Sequence, residues 1–268
     1  SSVYYLFLPA LVLSVLWRAP LGVDTLRIAG TAAVAVLSSM ALMALVGRAM
    51  RLGRLQFGAL LLAASFPNAT YMGLPLLGSL FGDAGKAIAI QYDLFACTPL
   101  LLSVGILLAA RFGDSEEEVH PVKTLLKVPP LWAAVAGAAL NIAGVPQPDW
   151  TAEWLDRIGA AVVPVMLVAL GMSLRLETLT GRNLLTVSPA IAIQLLWMPL
   201  AALGFALAVG TQGLPLTATV LEAAMPVMVL GLVICDRFGL DTSLYATTAS
   251  ASTLLALLTL PFWHGLAS

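Results

Sequence analysis

Charge is what this chain has least of, with 13 Lys and Arg and 14 Asp and Glu in 268 residues, or 10% of the sequence, where soluble domains carry roughly 25%. So few charges exclude an ordinary water-solvated globule. A net charge of -1 leaves no basic surface for nucleic acid. There are two histidines, His120 in a connector and His264 at the terminus, and no H-E-x-x-H or G-x-S-x-G run, so an intramembrane enzyme is disfavoured. A G-x-x-x-x-G-K-[ST] run is also absent, so any transport must be driven by an ion gradient or by the solute's own gradient. The two cysteines, Cys97 and Cys235, lie in or beside apolar runs without metal-type spacing and read as core packing. No cofactor is expected, beyond a proton or sodium as coupling ion.

What the chain does have is apolar length. Hydrophobic residues make up 60% of it and the mean hydropathy is +0.97. Runs of about 20 apolar residues, enough to cross a ~30 Å hydrocarbon core, recur throughout. They predict an all-α polytopic membrane protein with about nine spans, near 3–17, 27–46, 57–81, 87–110, 128–145, 157–173, 186–209, 215–235 and 243–264. The longest connector, 111–127, reads RFGDSEEEVHPVKTLLK and is a solvated loop. Its side of the membrane collects nine of the thirteen basic residues, including Arg48, Arg51, Arg54, Lys123 and Arg237. Because basic residues are enriched in cytoplasmic loops, the loop is placed in the cytoplasm and the C-terminus outside, in an inner (plasma) membrane of bacterial type. Trp17, Trp132, Trp150, Trp154 and Trp263 fall near span ends, as an interfacial belt requires, while Trp197 inside a span reads as packing.

Two stretches echo each other. In AASFPNATYMGLPLLGSLFGD and EAAMPVMVLGLVICDRFGLD, Pro67 matches Pro226, 159 residues on, and Gly82 matches Gly239, 157 on. Pro9 and Pro164 are 155 apart in LPALVLSVL and VPVMLVALG. One offset near 157 divides the chain into repeats over 1–110 and 128–268, joined by the 111–127 loop. By the same arithmetic the first repeat lacks its first helix, since the chain opens SSVYYLFLPALVLSVLW already inside a span. Restoring it gives two five-span units, and an odd span number makes the repeat inverted.

Both prolines interrupt spans near their middles. Proline removes a backbone donor, and in hydrocarbon each freed carbonyl costs several kcal/mol unless protein or water satisfies it. Matched interruptions in two halves therefore point to a cavity near the midplane, where half-helix N-termini face an anion.

SFPNATYMGLPLL resembles the Pro-Asn-Thr and Met-Gly-Ile-Pro-Leu-Leu stretch of the auxin efflux carrier family, the plant PIN-FORMED carriers and bacterial organic-acid permeases. EAAMPVMVLGLVICDRFGLD is similar to that family's second crossover, and VYYLFLPALVL to the start of its second span. The resemblance implies the fold of the bile acid, arsenite and riboflavin transporter superfamily, with two crossing broken helices and separate scaffold and transport domains. The scaffold would comprise the spans near 3–17, 128–145 and 157–173, and the transport domain those near 27–110 and 186–264. It further implies Pro67 and Pro226 as crossover prolines and Asn68, with Ala69 and Thr70 beside it, as the partner of a substrate carboxylate. Gln91 matches a polar site residue. Val227 stands where the first repeat has Asn68, and Glu222 stands where plant members have Gln. Asp24 matches an Asp paired in those carriers with a Lys four residues on; here that position is Ile28, and Arg27 precedes it.

Asp93 and Glu222 are the carboxylates deepest within spans, and a central carboxylate costs ~2.5 to 3.5 kcal/mol on insertion scales, so both are candidates to couple a proton or cation. Ser14, Ser103 and Gln194 read as helix-to-helix hydrogen bonds. The expected function is secondary transport of small organic anions, foremost carboxylates, by an elevator-like movement, in a bilayer-embedded protein that forms a homodimer through its scaffold helices. The alternatives are a sodium-coupled symporter or cation/proton antiporter of the same architecture, and a non-transporting membrane sensor.

Overall fold

The computed structural model describes residues 3–115 and 120–268, and within them the chain is helical with no strand ladder. Of the acidic connector, residues 116–119 lie outside the described residues. Five helical runs are long and apolar enough to cross a membrane, Val23–Ala49, Ala69–Phe112, Asp149–Thr178, Asn183–Ala208 and Thr242–Ala267. The shortest has 26 residues, and at 1.5 Å per residue it is longer than a ~30 Å hydrocarbon core. The architecture is that of an all-helical polytopic membrane protein.

In chain order the helices are α1 (Leu8–Arg18), α2 (Val23–Ala49), α3 (Arg54–Ala63), α4 (Ala69–Phe112), α5 (Pro121–Leu126) and α6 (Pro129–Ile142). They continue as α7 (Asp149–Gly159), α8 (Val162–Ser173), α9 (Asn183–Ala208), α10 (Gly213–Ala223), α11 (Leu230–Phe238) and α12 (Thr242–Ala267). Two groups of helices form. In one, α1 lies against α6 and α7. Polar contacts tie it down: Ser14 Oγ and Arg18 donate to Asp156, both at 2.6 Å, and Asn141 Nδ2 donates to the carbonyls of Trp17 and Ala19. In the other, α9 packs on α2 and α10, α12 on α3 and α10, and α10 on α4.

The structure departs from the sequence reading at several places, among them the connector expected as a loop, which holds α5. A loop was expected near 82–86, but α4 turns there at one residue, Gly82, with φ 61° and ψ -144°, which a side chain would resist. Gly239, its repeat partner, is also left-handed at φ 67°. The amphipathic helix α7, which opens the Asp149–Thr178 run, was not expected; it holds Trp150 and Trp154 with the rings exposed. Trp197 is 40% exposed rather than packed inside, whereas Trp263, expected in an interfacial belt, is buried and donates its Nε1–H to the Leu195 carbonyl at 2.8 Å. The Ser103 hydroxyl bonds the Pro99 carbonyl of its own helix, not a neighbouring one.

Proline also shapes the long helices without ending them. At Ala69–Gly73, Asp93–Cys97 and Ile193–Trp197 the helix widens so that Leu74, Thr98 and Met198 donate to carbonyls five residues back, and a proline follows each of the three, as Pro75, Pro99 and Pro199. A proline ring clashes with the carbonyl four residues before it, and the wider turn relieves that clash. One consequence is chemical. Residues five apart diverge on a regular helix, but the wide turn before Pro99 lets Thr98 reach back to Asp93.

Candidate functional site

Between α3 and α4, residues 64–68 leave the helix, and between α10 and α11 residues 224–229 do so. The two irregular stretches meet in antiparallel register at Pro67 and Val227. Asn68 N–H donates to the Pro226 carbonyl at 2.8 Å, and Met228 N–H to the Phe66 carbonyl at 3.0 Å. Each broken backbone thus satisfies part of the other, which is how irregular chain persists at membrane depth.

At the first stretch the Asn68 side chain is fully buried, and neither its oxygen nor its nitrogen has a hydrogen-bond partner. Its carbonyl receives the N–H groups of Met72 and Gly73 at 3.1 and 3.0 Å, so Asn68 stands at the N-terminal end of α4, where first-turn donors point outward. Asn68, Thr70 and Asp93 line a cavity of about 80 Å³ together with Leu8, Val128, Met166 and Met228. The cavity is therefore walled by the starts of α1 and α6, by Met166 of α8 and by the chain flanking the breaks. Asp93 is buried in its wall and accepts from Thr70 Oγ1 on one oxygen and from Thr98 Oγ1 on the other, the latter at 2.9 Å.

Glu222 lies behind this wall. It is wholly enclosed, both carboxylate oxygens lack partners, and it presses against Gly73, where any Cβ would overlap its oxygens. Its charged or titratable neighbours are Asp93, Tyr92 and Cys97, with no basic group among them.

Of the residues singled out in the sequence, the structure brings Pro67, Asn68, Ala69, Thr70, Asp93, Glu222, Pro226 and Val227 into one region. Gln91 is buried on the same arm of α4, two residues before Asp93. Asp24 stays apart, exposed at the start of α2 and paired with Arg27 at 2.9 Å. Gln194, expected to bond another helix, donates instead to the Met225 carbonyl in the second break at 2.9 Å. Sequence reasoning missed Thr98, Gly73, Tyr245 and Ser252. Thr98 had a signal in its place just before Pro99. Tyr245 and Ser252 act on backbone 17 and 25 residues away, for which a single sequence carries no local sign.

The family described as membrane transport proteins matches residues 1–264. An uncharacterized transporter of Methanothermobacter thermautotrophicus is 31% identical over 204 residues, 76% of this chain and 66% of that protein. One from Methanocaldococcus jannaschii is 26% identical over 78% of this chain and 68% of its own length, and one from Escherichia coli 24% identical over 75% and 65%. The chain spans about two thirds of the length of these relatives. With the family matched over nearly every residue, the chain belongs to the membrane transport proteins that include the auxin efflux carriers.

Proposed function

We propose that the protein is a secondary transporter of small organic anions, foremost carboxylates, working by alternating access in which the helices carrying the two breaks move against α1, α6 and α8. The observation that supports this most is Asn68, since a buried amide with both atoms unpaired costs about 1 to 3 kcal/mol unless an occupant of the cavity satisfies it. Its position at the start of α4 adds outward N–H groups and a positive dipole end, a fitting seat for a carboxylate. The cavity walls, shared by α1, α6, α8 and the chain flanking the breaks, support an elevator movement, and the matched breaks with their matched left-handed glycines support an inverted repeat.

Glu222 is the coupling residue on this reading, because an enclosed carboxylate with no basic neighbour is satisfied by a proton or a cation. The same feature favours a second reading, in which a bound sodium ion rather than a proton accompanies the substrate. The orientation proposed is a cytoplasmic 111–127 connector and an outward C-terminus, in an inner membrane of bacterial type, with a homodimer formed through scaffold helices.

Uptake of a panel of radiolabelled carboxylates into proteoliposomes, under imposed pH and sodium gradients, tests function and coupling together. Uptake accelerated by one gradient identifies the coupled ion. A folded protein that binds a carboxylate but moves none is a sensor, and one that binds none ends the proposal.

A further inference from the structure

The cavity has two poles of opposite chemistry. At one stand the unpaired Asn68 amide and the opening turn of α4. At the other stands Asp93, held by two hydroxyls. Most helical Ser and Thr hydroxyls here bond back to their own helix, as Thr31 does to Arg27 and Thr248 to Leu244. Thr70 and Thr98 instead turn to the carboxylate, one on each oxygen. A carboxylate accepting on both oxygens is arranged as the ionised form, which only accepts.

No Lys, Arg or His is among the residues lining the cavity. A plain anion seated on Asn68 would thus sit beside a second negative charge in a low-dielectric wall, where like charges repel strongly. A solute that carries an ammonium next to its carboxylate satisfies both poles at once. Its carboxylate takes the amide and N–H donors, and its ammonium takes Asp93 as a charge-assisted partner. Apart from the Tyr71 phenol, the rest of the lining, including Leu8, Leu101, Val128, Met166, Met228 and Leu230, offers apolar surface, which fits a hydrocarbon side chain.

We infer that the site recognises a zwitterion, an amino acid with an apolar side chain, through Asn68 at its carboxylate and Asp93 at its ammonium. This rests on the reading that the cavity takes a carboxylate, and adds the second pole.

Binding to the purified full-length chain at neutral pH tests it with matched probes: leucine and phenylalanine, their desamino acids 4-methylpentanoate and 3-phenylpropanoate, and their decarboxylated amines. The amino acids should bind roughly tenfold or more tightly than either single-charge analogue, the worth of one hydrogen bond to a charged group. In Asp93→Asn, a near-isosteric change, the preference over the desamino acids should collapse. If the parent binds the desamino acids as tightly as the amino acids, the zwitterion is overturned and the carboxylate reading stands. Should only the amines bind, or none of the probes, both fall. The comparison within the parent protein decides the matter even where Asp93→Asn does not fold.

Discussion

At the break between α3 and α4 the residue after the proline is Asn68, enclosed and unpaired, whereas after Pro226 it is Val227, whose N–H is held by the Ser252 hydroxyl at 3.1 Å. Around the second break two backbone carbonyls are held as well. Gln194 donates to the Met225 carbonyl and Tyr245 to that of Met228, at 2.9 and 2.7 Å. The contrast extends to two glycines, Gly73 and Gly231, each following its break and each lacking room for a Cβ. Gly73 faces the Glu222 carboxylate, which has no partner, and Gly231 faces the Tyr245 hydroxyl, which has one. The first break leaves its side-chain amide unpaired, and the second has its Met225 and Met228 carbonyls and the Val227 N–H taken up by internal bonds. On the proposed function, the difference in side chains divides the labour between binding and holding.

The sharpest way to break this comparison is at Glu222. Glu222→Gln keeps the shape and mimics the protonated state, so transport should lose all response to an imposed pH gradient while substrate binding and exchange persist. Glu222→Ala should damage both, because it opens a void against Gly73 at the crossing. Flux measured in proteoliposomes across a pH step checks this, and a Gln variant that tracks the gradient as the parent does would move the coupling to Asp93.

Next in size is Asn68→Ala. Loss of a hydrogen bond to a charged group, ~1.5 to 3 kcal/mol, corresponds to roughly ten- to a hundredfold weaker binding. Thermal stability should be unchanged or slightly raised, since the side chain removed has no partner within the protein. Val227→Ala at the matching position should leave affinity near that of the parent. Titrating substrate against both variants separates a binding break from a structural one, and equal losses at the two positions would erase the distinction.

Gln194→Leu probes the other side. It strips the Met225 carbonyl of its donor, and a buried group left unsatisfied costs about 1 to 3 kcal/mol, so the melting temperature should fall while affinity holds. A loss of affinity without a fall in stability would show that the second break binds too.

How much of this was legible in the sequence follows from the range of each interaction. Pro67 and Pro226 announce the breaks because proline acts on its own helix within one turn, and the apolar runs announce the long helices because burial in lipid is a property of composition. Asn68 was legible as the polar residue beside a break, though not its lack of partners, which depends on everything packed around it. The helix α7 was missed because alternating Trp and acidic residues in DWTAEWLDRIG carry too little hydropathy to register as a span. The pairing of Asp93 with Thr98 needed the wide turn before Pro99. The anchoring of Val227 by Ser252 and of Met228 by Tyr245 needed α12 to fold back on the crossing, an outcome of tertiary packing that no local pattern encodes.

The smallest substitution is the most discriminating about the second break. Tyr245 is fully buried, and its hydroxyl fills the space that Gly231 leaves while donating to the Met228 carbonyl. Tyr245→Phe removes that donor and nothing else, so the Met228 carbonyl loses its bond while the ring still packs. A buried carbonyl left without its donor costs about 1 to 3 kcal/mol, so stability should fall by about that much. Met228 also lines the cavity and its N–H bonds the Phe66 carbonyl. Substrate affinity in Tyr245→Phe should shift by less than twofold, because the two crossing hydrogen bonds still fix Met228 to Phe66 and Pro226 to Asn68. A denaturation curve read beside a binding isotherm checks both halves of the expectation. A large loss of affinity with little loss of stability would mean that the second break is part of the binding surface, and the division between a holding break and a binding break would have to be given up.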